Sequence, residues 1–342
     1  MTKIAYVAYY FFDEDGVASL RSRVLTEMLE DRGNDLEVIT KKTFGEKALK
    51  SKILWGFQVF KHLMTADYDK LFVSCGPFWH LRFILLACIL RKKKFIVDIR
   101  DPWSANLKRG FGGTKAKASN LVIKRAEFWE RLMYKYSEQI WTVTEGMKES
   151  HKEVVGNTEK FTIVINGHDI NVEEIAQYQK ELPDNDVTTY VCMGKFVEYG
   201  EEKAERALKK LRDVNIQEDK KFVLEFIGCN EEKIRPIISR LDMEEYVRFI
   251  PRMPYHEAIT RASKADIGFC IIRDEDIEHG TKTFDYLGLG LPIFDCFKEG
   301  SHFQKFFEPY LTLTEKKRIP IETRQRFYRR NIFKPYLNEI EK

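Results

Sequence analysis

Between Tyr246 and Asp295 the chain reads as strand, helix, strand, charged loop, then a lysine and a carboxylate on one helix, and this order leaves few folds open. Val247 to Ile250 has the pattern of a strand and Tyr255 to Ser263 that of a helix. Ala265 to Ile272, apolar with Asp266 at its mouth, is a second strand. The loop Arg273 to Gly280 follows, then Lys282 and Asp285 at helical spacing on an element that closes in Gly288-Leu289-Gly290-Leu291-Pro292. In open α/β sheets, phosphorylated ligands bind where a strand's carboxyl end meets a loop and a helix N-terminus. A lysine there suits a diphosphate, and a carboxylate three residues on can accept hydrogen bonds from ribose hydroxyls. The stretch points towards a sugar-nucleotide enzyme.

The same alternation runs through the rest of the chain. Ile4 to Tyr10, Leu36 to Thr40, Lys70 to Ser74, Lys94 to Ile99, Gln139 to Thr144 and Phe161 to Ile165 read as strands. Helical patterns lie between them, at Ala18 to Arg32, Ile53 to Met64 and Ser119 to Ser137 among others. A polar connection from Gly167 to Asp186, with a helix inside it, leads to further strands at Thr189 to Met193, Phe222 to Ile227 and Pro292 to Asp295. Strands spaced by helices imply right-handed βαβ units and mostly parallel sheets. The expected architecture is α/β, with two tandem Rossmann-like domains facing a cleft. Residues 1–170 form the first, residues 171–321 the second, and residues 322–342 a charged aromatic helix that returns to the first. At 342 residues the chain is long enough for both.

Charge separates the two halves. Residues 1–150 hold 26 Lys and Arg against 18 Asp and Glu, and within residues 41–135 the ratio is 21 to 7. The first half is therefore a candidate to meet an anionic surface. Leu49 to Met64 mixes Lys50, Lys52 and Lys61 with Trp55, Phe57 and Phe60, and Lys108, Arg109, Lys115, Lys117, Lys124 and Arg125 follow. Such stretches dock on anionic bilayers, where each basic residue contributes about 1 kcal/mol. The plainer alternative is a core helix with a solvated face. Nucleic acid is not expected, because no binding module is present. The six cysteines are scattered with no Cys-x-x-Cys pair, as in a reducing cytosol. The chain opens directly on a strand, with no signal peptide, and its longest apolar run, Phe83 to Leu90, is too short to span a bilayer.

With both halves in place, the chain resembles the retaining glycosyltransferases of the GT-B fold, in particular the large family 4 group. The loop Tyr9 to Gly16, before the helix holding Ala18, Arg21 and Arg23, is similar to that family's first glycine loop. Asp98-Ile99-Arg100-Asp101-Pro102-Trp103 resembles its acceptor-side turn. Thr142 to Glu145 and Asn166 to Asp169 resemble its end-of-domain strands. Met193-Gly194-Lys195, Phe226-Ile227-Gly228 and Ala265 to Gly268 match its second-domain strand ends, and Lys282 to Leu287 with Gly290-Leu291-Pro292 its nucleotide-binding helix. Two departures stand out. The family commonly has two glutamates eight residues apart, but here the second position is Asp285 and the first is Ile277, with Glu278 one residue off. Where a second lysine usually precedes the glycine after Gly194-Lys195, Tyr199 precedes Gly200.

The resemblance implies a cytoplasmic transferase at or near the inner face of the membrane. It would move a sugar from a nucleoside-diphosphate sugar to a glycan or lipid-linked acceptor, in surface polysaccharide or glycolipid synthesis. Such transfer builds charge on a leaving diphosphate, and well-placed cations each accelerate it by roughly a hundredfold or more. Lys195 and Lys282 are the candidates, Asp285 would hold the ribose, and Gly194 and Gly16 would let backbone approach the donor. The plainer roles are solvated lysines, a surface carboxylate paired with Lys282, and turn glycines. Asp101 is the candidate to position or deprotonate an acceptor hydroxyl, and Arg100 to bind an anionic acceptor group. Asp98 is expected in the strand end, bonded to backbone. His80, His168 and His279 are expected in structural roles. Asp13-Glu14-Asp15 and Asp274-Glu275-Asp276 spell the Asp-x-Asp of metal-dependent transferases of another fold. Clustered carboxylates alone define no metal geometry, so neither a metal nor another cofactor is expected. A nicotinamide site is not expected either, because Gly-x-Gly-x-x-Gly is missing after the first strand. The alternatives are a GT-B-fold sugar-nucleotide epimerase and a non-catalytic nucleotide- or glycan-binding homologue.

Overall fold

The computed structural model describes residues 2–45, 51–76, 78–110, 117–180 and 186–341. Lys50 and Lys115, noted above for their charge, lie outside the described residues, as do residues 181–185 of the Gly167 to Asp186 connection. The chain divides into two compact units. The first takes its described residues from 2–110, 117–165 and 329–341, and the second from the stretch Asn166–Tyr328.

The first unit is built on six parallel strands: β1 (Lys3–Ala8), β2 (Asp35–Thr40), β3 (Lys70–Cys75), β4 (Phe95–Ile99), β5 (Gln139–Thr142) and β6 (Phe161–Ile163). They lie in the order β2-β1-β3-β4-β5-β6, with Ile4 beside Leu36 and Val73 beside Val97. The apolar run of β1 is continuous because both its faces are covered. Ala5 and Val7 meet Trp55, Val59 and Leu63 of the helix Lys52–Thr65, together with Ile84, Leu85 and Cys88 of the helix Leu81–Arg91. Gly56 permits that helix pair, since a Cβ there would sit 2.7 Å from the Phe83 ring. On the opposite face Ile4, Tyr6 and Ala8 meet Leu25 and Leu29 of the helix Val17–Asp31. Ile332, Phe333, Leu337 and Ile340 complete that second core.

The C-terminal segment therefore packs on the first unit, but not as the single helix expected over 322–342. The part that packs there consists of the helices Arg329–Phe333 and Leu337–Glu341, separated by a 3-10 turn at Lys334–Tyr336, while the helix Ile321–Arg326 before them belongs to the second unit. Pro335 explains the break, because it lacks an N–H and its ring obstructs the carbonyl four residues back. Arg330 ties the segment to Glu27 at 2.8 Å and Asp31 at 3.1 Å.

The second unit has six parallel strands of its own: β7 (Thr188–Met193), β8 (Phe222–Ile227), β9 (Val247–Ile250), β10 (Ile267–Gly268), β11 (Ile293–Phe294) and β12 (Leu311–Thr312). Their order is β12-β11-β10-β7-β8-β9. An aromatic cluster of Phe196, Phe226, Phe269 and Phe294 fills its core. β10 is much shorter than the Ala265 to Ile272 run. Beyond Gly268 the Phe269 carbonyl accepts the Tyr286 hydroxyl at 3.1 Å instead of continuing the ladder. β12, two residues long, had no sequence signal strong enough to predict it.

Candidate functional site

In the second unit the strand order reverses between β7 and β10, and ligands of open α/β sheets bind outside the carboxyl ends at such a point. Tyr286 fixes the geometry there. Its hydroxyl accepts the Met193 N–H at 3.1 Å and donates to the Phe269 carbonyl, so one buried phenol joins the ends of both strands. Gly268 is required beneath it, because a Cβ would lie 2.5 Å from the Tyr286 ring.

Gly194 follows β7 with φ +68°, a left-handed conformation that glycine adopts without strain. The Lys282 ammonium lies over it, 2.6 Å from the place a Cβ would occupy. Its hydrogen bond is a long one, 3.5 Å to the Lys195 carbonyl, and no carboxylate among the described residues pairs with it. The pairing with Asp285 that helical spacing allows is not made. Lys195 is exposed.

Lys282 belongs to the helix Thr281–Gly288, which begins at Gly280 with no side-chain cap and no acidic residue in its first turn. Its leading N–H groups and dipole therefore favour a negative charge. The helix Glu201–Gln217 contrasts with it, since Glu201 and Glu202 occupy its first turn. Asp285 is 7% exposed and accepts the Tyr255 hydroxyl at 2.7 Å, so it is a buried, positioned carboxylate and not a solvated one.

The charged loop before this helix is anchored. Ile277, at the first glutamate position of the resembled pair, is buried. Glu278 holds the Arg273 guanidinium. Glu275 pairs with Lys203 at 3.0 Å and accepts the Lys298 N–H at 2.6 Å, and Lys203 also donates to the Ile272 carbonyl at 2.7 Å. Lys203 and Tyr255 were not anticipated from the sequence. Lys203 follows the Tyr199-Gly200 departure at an ordinary helix position, and Tyr255 meets Asp285 only through the fold. His279 is buried among Phe284, Phe303, Phe306 and Phe307, and burial first, then the charge of His302, holds its pKa down at about 3. It is a neutral packing residue at ordinary pH.

In the first unit the reversal lies between β1 and β3. Gly16 caps the helix Val17–Asp31 with φ +61°, and a Cβ there would meet nothing within 4 Å. Asp98 is buried as expected, but its partner is a side chain. Arg21 donates to both its oxygens, at 2.9 and 3.0 Å, and to the carbonyls of Val164 and Ile165. The backbone role expected for Asp98 gives way because a buried carboxylate beside a guanidinium gains two charge-assisted bonds. Arg100 donates to the Ala18 carbonyl at 2.9 Å and the Ser74 hydroxyl at 3.2 Å. Asp101 is exposed at the carboxyl end of β4.

The two acidic runs are held by cations and backbone. Asp13 pairs with Arg23, Glu14 with Lys42 and Asp15 with Lys41. Asp276 meets Lys298 at 3.8 Å, and Asp274 accepts the Asp276 N–H. Among the described residues no group of three His, Cys, Asp or Glu is arranged to hold a metal ion.

No family model matches this sequence, and no curated protein does. Solved structures do. The apo lipopolysaccharide outer core galactosyltransferase WaaB aligns over 99% of this chain and 99% of its own, with 14% identity and a TM-score of 0.63. WaaG, a glycosyltransferase involved in lipopolysaccharide biosynthesis, aligns over 98% of this chain and 91% of its own, with 13% identity and a TM-score of 0.58. Anabaena HepE in complex with UDP and glucose aligns over 100% and 96%, with 13% identity and a TM-score of 0.55. Two six-stranded parallel sheets with flanking helices, matched along their whole length by these enzymes, make this a GT-B fold like that of glycosyltransferases.

Proposed function

We propose that the chain is a retaining glycosyltransferase, moving a sugar from a nucleoside-diphosphate sugar to a glycan or lipid-linked acceptor. The observation that carries this reading is the Lys282 ammonium over Gly194, uncommitted to any carboxylate among the described residues, beside an uncapped helix N-terminus. When the bond from the anomeric carbon to the diphosphate breaks, its electron pair goes to the diphosphate. Lys282 and Lys195 stabilise that growing charge, and Gly194 leaves room for the diphosphate beside backbone. Asp285 receives the ribose hydroxyls, exchanging its Tyr255 hydrogen bond for theirs. In the first unit Gly16 bounds the donor diphosphate, Asp101 positions the acceptor hydroxyl, and Arg100 meets an anionic group on the acceptor.

HepE, a fold relative, is described in complex with UDP and glucose, which supports a uridine donor as the first to try. Among the described residues no helix is long and apolar enough to cross a membrane. Work at the cytoplasmic face, in surface polysaccharide or glycolipid synthesis, is the setting this reading favours.

The test is a thermal-shift series with uridine, guanosine, adenosine and cytidine diphosphates and their sugar conjugates, on the native chain and Lys282→Ala. Ligand at about a hundred times its dissociation constant adds roughly 2.7 kcal/mol of stability. One nucleotide is expected to shift the native chain and not the variant. Failure of every nucleotide would remove the transferase reading. Turnover of a nucleotide sugar to an isomer with no acceptor added would replace it with an epimerase.

A further inference from the structure

We propose that Cys192 and Cys229 are a redox-modified pair, joined by oxidation into a disulfide beside Gly194 that weakens nucleotide binding. Four of the six cysteines gather at the carboxyl ends of four neighbouring strands of the second unit. Cys192 is in β7, while Cys229, Cys270 and Cys296 each stand two residues beyond the ends of β8, β10 and β11. The other two, Cys75 and Cys88, are buried in the first unit. All six are free thiols.

Within the four, one pair is placed to react. The Cys229 thiol donates to the Cys192 carbonyl at 3.4 Å, and both side chains pack on the same core. Burial first, then the adjacent Cys229 thiol, pushes the Cys192 pKa well above its ordinary value, and the Lys282 charge opposes them. Cys192 is 1% exposed, whereas Cys229 is only half-buried and is the thiol open to a small reagent. Cys296 has a similar relation to Cys270, 3.3 Å from its carbonyl, but there the Cys270 thiol is engaged by the Thr283 hydroxyl.

The reaction is exchange with a small disulfide such as oxidised glutathione. The Cys229 thiol loses its proton and its sulfur attacks one glutathione sulfur. The glutathione S–S bond breaks, and the departing sulfur takes up a proton. Cys192 then loses its proton and attacks the Cys229 sulfur, and the second glutathione leaves as a thiol. The protein gives up two electrons and two protons, and the small disulfide becomes two thiols. The new bond lies against the donor groups. Gly194, two residues after Cys192, donates its N–H at 2.7 Å to the carbonyl of Ile227, two residues before Cys229. Drawing the two sulfurs together moves this backbone pair, and with it the Gly194 turn under the Lys282 ammonium. That effect rests on the donor site proposed above; formation of the disulfide does not.

The test equilibrates the full-length chain in glutathione buffers from reduced to strongly oxidised, then denatures it and counts thiols by iodoacetamide labelling and mass. Two of the six thiols should be lost, dithiothreitol should restore them, and peptide mapping should join Cys192 to Cys229. Cys229→Ser keeps a donor for the Cys192 carbonyl, should match the native circular dichroism, and should lose none of its remaining thiols. Oxidation should weaken nucleotide affinity about tenfold in the native chain and leave that of Cys229→Ser unchanged. By reciprocity, saturating nucleotide should raise the oxidant level needed for half-oxidation by the same factor. A reduced chain that binds no nucleotide fails the donor reading alone, and the thiol count still decides the disulfide. The proposal is overturned if all six thiols survive strong oxidation, or if the disulfide joins another pair or two chains. It is equally overturned if Cys229 stops at the mixed disulfide with glutathione, or if the oxidised chain binds nucleotide as tightly as the reduced one.

Discussion

The two sheets of this chain differ in what occupies their points of strand reversal. In the first unit most charges near the β1–β3 reversal are tied to the protein's own groups, although the two neutral partners of Arg100 do not cancel its charge. Arg21 makes four hydrogen bonds to Asp98, Val164 and Ile165, Arg100 makes two to Ala18 and Ser74, and the first loop's three carboxylates each hold a cation. In the second unit the β7–β10 reversal is framed by neutral groups, the Tyr286 phenol and the Gly194 backbone, with Lys282 over the opening. Two parallel sheets can thus share an architecture while one neutralises most of its own charges and the other leaves a cation for an incoming anion. Fold places the crevice; side-chain neutralisation decides which crevice attracts a ligand.

The largest effect expected from this contrast is on stability. Arg21→Ala leaves Asp98 buried without its partner, and removing one member of a buried pair costs about 3–5 kcal/mol. All five tryptophans precede residue 142, so tryptophan fluorescence reads the first unit. Denaturant unfolding followed that way should show the loss. A first unit that keeps its midpoint would break the comparison.

Acid should separate the units next. Burial holds the pKa of His80 at about 3 and that of His151 at about 4, both in the first unit, while His279 at about 3 is in the second. Between those values and the unfolded value of about 6.5, the unfolded chain binds more protons, so stability falls as pH falls. At pH 5 each of these histidines costs about 2 kcal/mol, about 4 for the two in the first unit and about 2 for His279. Glu130, its pKa raised by burial, gains stability towards acid and trims the first figure. Tryptophan fluorescence is expected to lose its transition at a higher pH than far-ultraviolet circular dichroism, which reads both units. Coincident acid transitions would contradict this.

A smaller effect sharpens the contrast at single atoms. Gly194 and Gly16 both have positive φ, so alanine at either costs about 1–3 kcal/mol through backbone strain. Only at Gly194 would the new methyl also strike Lys282. Gly194→Ala should therefore abolish the nucleotide thermal shift, and Gly16→Ala should weaken nucleotide affinity less than tenfold. Equal losses would mean that the first unit holds the donor as strongly as the second.

Much of the fold was legible because strand and helix periods alternate cleanly and buried parallel strands read as apolar runs, as in Ile4 to Ala8. Short elements were not. β12 pairs through two residues, and the break at Pro335 divides a segment whose charge pattern suits one helix. At the candidate site, Lys282 and Asp285 were visible from their spacing, but Tyr255 and Lys203 were not. Tyr255 lies thirty residues before Asp285, and Lys203 lies seventy before the Arg273 carbonyl it approaches. Contacts across such separations leave no local periodicity. Asp98 was found in the right place with the wrong partner, because Arg21 is one charged position on an otherwise buried helix face.

Because the first unit takes residues from both sides of Asn166–Tyr328, its completion follows that of the second during synthesis. While the ribosome is still translating beyond Tyr328, Trp141 lacks Phe333 and Tyr336, and the core side of Ile4 and Tyr6 lacks Leu337 and Ile340. The second unit needs none of these residues, while the first waits for them with an apolar face bare. A chain truncated after Tyr328 should therefore engage chaperones through the half of the protein that is translated first.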